Sequence, residues 1–411
     1  MLWIKIGWRN LWRSKARTLL QTAAIAGGIF LTVFFRNLTA GSYAQMIREG
    51  TKIGSGHVGF YLDHYLEDRK AEQFFLSTKI IPELRKNQLI DHFFERLTIP
   101  GLIQSSRESC GAAIYGMDIL AEKDTNPIFQ PKNFATGTLS INENRDKAMI
   151  GFVMAKSLQV TVGNKIVLSF QDQSGKIVSQ LFRISGILKT GIGQIDRSVV
   201  FVDRRQLATL FGNPDAVHEI AVLLKDYAFI PAFLQQVDFL AGTSKNVKAY
   251  PWEIAMPELS GAISIDRFQL KILFSILFFL IAIGAVNTLL MSVVERTREF
   301  GLLRALGLHP SAIRKVILAE GLVLSLLGIL IGQVFAFCAS LYTHIHGIDL
   351  TLLVGKLEVA GMVMDSVIYS GWDIPANLLA SFLMIAIVLT SSLYPAHRAL
   401  KIRPSDAMRK Y

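Results

Sequence analysis

The chain has 411 residues, 51% of them hydrophobic and 18% charged, with a formal net charge of +11. So apolar an average points to concentrated segments of membrane-spanning length rather than to one large soluble core. The two cysteines, Cys110 and Cys338, lie in segments of different character and give neither a disulfide framework nor a metal site.

Taken in chain order, five basic residues (Lys5, Arg9, Arg13, Lys15 and Arg17) precede an apolar run from Thr18 to Phe35. As a helix that run is about 27 Å long, roughly the hydrocarbon thickness of a bilayer. Ala24-Ile25-Ala26 fits a small-residue cleavage pattern, but the apolar run continues well past it, so the segment reads as an uncleaved anchor. The sequence "RNLTAGSYAQMIREGTKI" after Phe35 keeps helical character with Gly41 as its one breaker. From Gly41 to Ile265 the composition is that of a soluble α+β domain. Runs such as "HVGFYL", "NKIVLSF", "SQLFRISGIL" and "RSVVFV" predict strands, and Thr78 to Glu95 and Phe229 to Leu240 predict helices. Pro257 predicts a helix start that runs on into a second apolar run, Leu270 to Val294. Two more follow, Val316 to Tyr342 and Ile374 to Leu393.

The charge is distributed by side. The segment after the second run carries Arg296, Arg298, Arg304, Arg314 and Lys315, and the tail carries Arg398, Lys401, Arg403, Arg409 and Lys410. The loop from Thr343 to Asp373 has one lysine against Asp349, Glu358, Asp365 and Asp373. Basic segments mark the cytoplasmic side. The expected fold is therefore an α-helical membrane protein with four transmembrane helices, both termini inside, and one large α+β domain outside between spans one and two. The expected divisions are 1–40, 41–265 and 266–411. The basic excess is topological, which argues against a nucleic-acid partner.

Enzyme chemistry finds little support. "GSGHVG", Gly54 to Gly59, formally matches GxGxxG, but no strand precedes it and no helix follows, so it reads as a turn into a strand. No GxxxxGK[ST] loop occurs, and Ser174 to Lys176 reads as a hairpin turn. The eight histidines are scattered; His344 and His346 share one short loop, while His57, His64 and His92 lack ligand spacing. No catalytic residue, metal site or cofactor is expected.

The connection between spans two and three, "VVERTREFGLLRALGLHP", is neither a tight turn nor a polar loop. At 100° per residue Phe300, Leu302, Leu303 and Leu306 fall within an arc of about 160°, with Arg298 and Arg304 outside it and Glu299 within it. Gly307 ends that helix and Pro310 begins the next. An interfacial helix lying on lipid and a knob inserted into a cytoplasmic partner fit this pattern about equally. Within the spans, Glu320 is expected to pair with Arg304 or Arg314. Asn287 and Thr288 are expected to make interhelical hydrogen bonds. Gly328 and Gly332 form a GxxxG that permits close packing, within the subunit or across a dimer.

"ERTREFGLLRALG" resembles the loop between spans two and three of the MacB/FtsX/LolCDE superfamily of ABC transporter permeases. "GWRNLWRSKARTLL" resembles that family's amphipathic lead-in to span one. "YPAHRALKIRPSDAMR" resembles its C-terminal signature, with His397 where an aromatic is commoner. "IGFVMAKSLQVTVGNKIVL" and "ISGILKTGIGQIDRSVVFV" are similar to the lipoprotein-releasing (LolC/LolE-like) branch, with Asn164 in place of its usual Asp and Leu188 in place of Phe. The resemblance implies a coupling helix that docks on a separate cytoplasmic ABC ATPase, formed by Glu295, Arg296, Arg298, Glu299, Phe300, Leu302, Leu303, Arg304, Leu306 and Gly307. It also implies a homo- or heterodimeric permease with two ATPase copies in the bacterial inner membrane, and a MacB-like periplasmic core domain moved by the spans. A lipoprotein or carrier is the implied periplasmic partner. A MacB-type efflux permease and an FtsX-type activator of a cell-wall hydrolase are the alternatives.

Overall fold

A computed structural model describes residues 7–10, 12, 15–139, 146–237, 246–349, 357–359, 362–364 and 367–400. The chain divides into two compact units. One comprises Met1–Ala44, Ile265–Leu352 and Val367–Tyr411, and the other Gln45–Ser264 and Leu353–Ser366.

The first unit is built on α1 (Lys15–Ile53) as far as Ala44, α2 (Pro257–Glu295) from Ile265 on, α3 (Thr297–Ala305), α4 (Pro310–His346) and α5 (Ile374–Leu400). All but α3 are long and apolar enough to cross a membrane. The 39 residues of α1 and the 39 of α2 make helices of roughly 58 Å each, about twice a hydrocarbon core of about 30 Å. Neither contains an internal proline, so nothing in the backbone ends them at the membrane surface. The bundle core joins Ile25, Ile29 and Val33 of α1 to Phe278 and Ile281 of α2, Ile329 and Ala336 of α4, and Ala380, Met384 and Val388 of α5. Gly328 and Gly332 lie against α1 of the same chain. A Cβ at Gly332 would sit 2.6 Å from the Ala26 carbonyl oxygen, so only glycine admits this approach.

The second unit centres on a ten-stranded sheet. Its strands are β1 (Val58–Leu62), β2 (Ile90–Gln104), β3 (Ser109–Met117), β4 (Phe134–Gly137), β5 (Lys147–Gly151), β6 (Lys165–Gln171), β7 (Ile177–Leu188), β8 (Val199–Asp203), β9 (Glu219–Leu224) and β10 (Val247–Pro251). The order is β10-β1-β9-β2-β3-β8-β5-β7-β4, with β6 joining β2 to β7. Strands β2, β3, β8, β5, β7 and β6 therefore pair in a closed ring. Inside it lie Leu97, Ile99, Ile114, Ile150, Leu168, Phe182, Ile184 and Val200, all buried. The long strand β2 makes this closure possible. On one edge its first half pairs with β9 and its second half, from Gly101, pairs with β6.

The helix expected from Thr78 to Glu95 is not formed. Two short helical turns, Ser77–Lys79 and Ile81–Leu84, are followed by β2. Phe93, Phe94, Leu97, Thr98 and Ile99 are β-forming residues, and pairing with β9 as far as Arg96 and with β3 from Arg96 on overrides the weak helical periodicity before them. Asp172 closes the β6–β7 hairpin by accepting from the backbone N–H of Ser174 and Lys176.

Candidate docking site and the polar ties around it

Helix α3 opens at Arg296 and ends at Gly307, whose φ of +89° is left-handed backbone that glycine adopts without strain. The first turn of α4 follows, with Pro310 at its start and His309 Nδ1 accepting from Ser311 N–H at 3.3 Å. The four apolar residues assigned to one stripe of α3 do not act together. Phe300 is 2% exposed and packs with Val293, Ile313, Ile317, Ala396 and Ala399 of its own chain. This corrects its inclusion in a docking stripe, because the helical arc places Phe300 at the edge nearest α4 and α5. Leu302 is 55%, Leu303 40% and Leu306 77% exposed. Exposed Arg298 lies beside them. Arg304 reaches back, its Nη1 donating to the Leu400 carbonyl at 3.1 Å.

Glu320 is buried within α4. Its partners are Arg296, Nη1 to Oε1 at 2.5 Å, and Asn10, Nδ2 to Oε1 at 2.8 Å, in place of the expected Arg304 or Arg314. Arg296 also donates to Glu299 and lies over the Phe300 ring. Its side chain runs back toward α4, whereas Arg304 is a full two turns further on. Glu295 holds Arg17 through two hydrogen bonds, 2.9 and 2.5 Å, joining the end of α2 to the start of α1. Thr288 Oγ1 lies 3.1 Å from the Gln21 side-chain amide. Asn287, in contrast to the expectation, is exposed and has no hydrogen-bond partner among the described residues. At the opposite end of the bundle Asn37 Nδ2 donates to Ser340 and its Oδ1 accepts from Asn377, while Arg36 pairs with Asp373. The C-terminal motif beyond Leu400 lies outside the described residues.

The second unit holds a polar cluster that no motif announced. Arg96 is fully buried against Glu122, Nε to Oε1 at 3.2 Å and Nη2 to Oε2 at 2.7 Å. Its Nη1 donates to the carbonyls of Ile53 and Gly54, where α1 ends. Glu122 also accepts from Asn126. The Glu122 and Glu219 charges hold the Arg96 pKa above its ordinary value against the opposing effect of burial. No group of His, Cys, Asp or Glu suited to a metal ion occurs among the described residues.

Four membrane-length helices, with a closed-ring sheet domain inserted after the first and a short helix pinned between the second and third, fit a multi-pass membrane protein. Residues 271–404 match the family described as FtsX-like permease C-terminal. The lipoprotein-releasing system transmembrane protein LolC of Haemophilus influenzae is 26% identical over 273 residues, covering 64% of this chain and 64% of that protein. LolC of Neisseria meningitidis serogroup B is 23% identical over 272 residues, again 64% of each. The macrolide export ATP-binding/permease protein MacB 2 of Aeromonas hydrophila is 22% identical over 372 residues, 85% of this chain and 55% of that protein. Residues 271–404 thus form an FtsX-like permease domain, and the chain is similar to LolC and MacB permeases, which together with its four apolar helices fits a multi-pass inner-membrane protein. Its match spans just under two thirds of the length of the LolC relatives.

Proposed function

We propose that this chain is the transmembrane subunit that passes ATP-driven motion from a separate cytoplasmic ATPase to its own extracytoplasmic domain. In this reading both termini and α3 are cytoplasmic, and the sheet domain lies outside. The observation that carries it is the division of labour in α3: Phe300 and Arg296 anchor the helix to its own bundle, while Leu302, Leu303 and Leu306 are left bare. A helix resting on lipid does not need such an anchor; a helix that pushes does. The permease acts as a dimer, of two copies or with a related chain, each subunit engaging one ATPase. The exposed, unpartnered Asn287 within the apolar surface of α2 supports such pairing, since a bare amide facing lipid is costly.

The favoured substrate is a lipoprotein or another lipid-anchored molecule of the outer leaflet, by similarity to the lipoprotein-releasing relatives. Extracting one palmitoyl-sized chain costs about 12 kcal/mol at about 0.8 kcal/mol per CH₂, so release needs a driven step. Efflux with a periplasmic adaptor has one observation on its side, the alignment with MacB 2 across 85% of this chain. Signalling to a cell-wall hydrolase is the third reading. Copurification of the full chain from native membranes tests the proposal. An ABC ATPase accompanies it, together with a lipoprotein carrier on the first reading or an adaptor on the second. Recovery without any ATPase contradicts both.

A further inference from the structure

The second unit contains a cavity of about 390 Å³, within the range of about 300–1,000 Å³ usual for small-molecule sites. It is bounded by the last residues of α1, the first residues of α2 and the faces of β1, β2 and β3. Tyr61, Tyr65 and Tyr115 form an aromatic wall, with the Tyr61 and Tyr65 rings stacked at 5.8 Å. Glu219 faces that wall. Burial first, and the Glu219 charge second, push all three hydroxyls above the ordinary phenol value.

Glu219 has an unmet need. Its Oε1 is sealed from solvent and no donor lies within ordinary hydrogen-bond distance of it, the adjacent Tyr61 hydroxyl being given to Ser55 at 2.6 Å. The nearest cation, Arg96, stands 3.9 Å away and is committed to Glu122 and to two backbone carbonyls. A buried acceptor without a donor is costly and marks a strain reservoir, a functional group or a missing ligand. With Arg96 balanced by Glu122, the rest of the lining sets one arginine, Arg69, against two carboxylates, Glu219 and Glu258. That leaves one negative charge in excess beside three aromatic rings, the combination that favours an organic cation. Phe201 and Leu259 supply apolar surface for a tail.

We propose that this cavity binds the ammonium group of a small amphiphile, which donates to Glu219 and lies against the tyrosine wall with its hydrocarbon part along the apolar lining. An occupant would touch both the end of α1 and the start of α2, and so stiffen the place where those helices meet the sheet. The inference rests on the cavity's own residues and does not depend on the docking surface of α3.

Isothermal titration of the full chain in lipid nanodiscs, with empty nanodiscs subtracted, tests this with hexylamine as probe and hexanoate and hexanol as comparators. Hexylamine should bind saturably at one site per chain and at least tenfold more tightly than either comparator. Glu219→Gln should weaken it at least tenfold. Ala113→Phe, which fills the cavity and leaves Glu219 in place, should abolish it with circular dichroism unchanged. Absence of saturable hexylamine binding, equal binding of the three probes, or binding that survives both substitutions would overturn the proposal.

Discussion

Arg296 Nη1 lies 2.5 Å from Glu320 Oε1, an ion pair that ties the start of α3 to the interior of α4. Both side chains are largely removed from solvent, and Asn10 completes the contact from the segment preceding α1. Together with Phe300 it makes α3 a fixed projection of the bundle rather than a loose connection.

Breaking a buried pair by deleting one partner costs about 3–5 kcal/mol, because the other charge stays behind. Glu320→Ala should therefore lower the thermal midpoint of the detergent-solubilised chain markedly. Glu320→Gln keeps an acceptor for both Arg296 and Asn10 and should cost less. Equal midpoints for Glu320→Ala and the unaltered chain would contradict this account of the contact.

The sheet domain should lose stability in mild acid. His218 is buried with Thr98 N–H donating to Nδ1 at 3.1 Å, which leaves the proton on Nε2 to bond the Ala71 carbonyl at 2.9 Å. A second proton on Nδ1 would face a donor. His57 Nδ1 likewise accepts from Leu224 N–H at 2.9 Å. Burial, the largest cause at each, lowers both pKa values below the ordinary imidazole value. The unfolded chain takes up protons near pH 6.5 while the folded one does not, so this stabilisation is complete above about pH 6.5 and declines as pH falls below it. Amide exchange of β1, β2 and β9 in the full chain should accelerate between about pH 7.5 and 5.5, after correction for intrinsic rates. His218→Gln should flatten that dependence; an unchanged dependence would refute the assignment.

On α2, Ile276, Leu280, Ile283, Met291 and Val294 are exposed in steps of three and four, and Asn287 continues the same line. That spacing fits the seam of a packed helix pair. In a Cys110→Ser, Cys338→Ser background, Asn287→Cys should give an oxidised cross-linked dimer, with a second copy or with a related permease chain. Leu330→Cys, on an exposed position of α4, is the comparison. Cross-linking no stronger at Asn287 than at Leu330 would argue that this face meets lipid.

Much of this was legible in the chain itself, and for identifiable reasons. Twenty-residue apolar runs admit few interpretations, and Pro257, Gly307 and Pro310 act through backbone geometry that tertiary context rarely overrides. Other features depend on what lies opposite. The Thr78 to Glu95 stretch shows helical period, yet β2 forms because β9 pairs with it from Ile90 to Arg96 and β3 continues the pairing from Arg96. Phe300 and Leu302 look alike on a helical wheel, and only the position of Ile313 and Ala396 separates the anchor from the bare surface. The Arg96–Glu122 pair joins residues 26 apart in no motif, and carries no sequence signal at all.

The central claim is that Leu302, Leu303 and Leu306 dock on an ATPase. Removing a central apolar anchor from an interface often costs about 2 kcal/mol or more, about thirtyfold in affinity, whereas rim charges cost less and respond to salt. Phe300→Ala should act differently, destabilising the permease itself by about 3–5 kcal/mol through the cavity it leaves. The most direct measurement is copurification of the ATPase with full-length permease carrying Leu303→Asp or Leu306→Asp, with Arg298→Ala alongside. The account predicts that either aspartate variant inserts and remains stable but loses the ATPase, while Arg298→Ala retains it with reduced, salt-sensitive affinity. Undiminished ATPase recovery with both aspartate variants would contradict it.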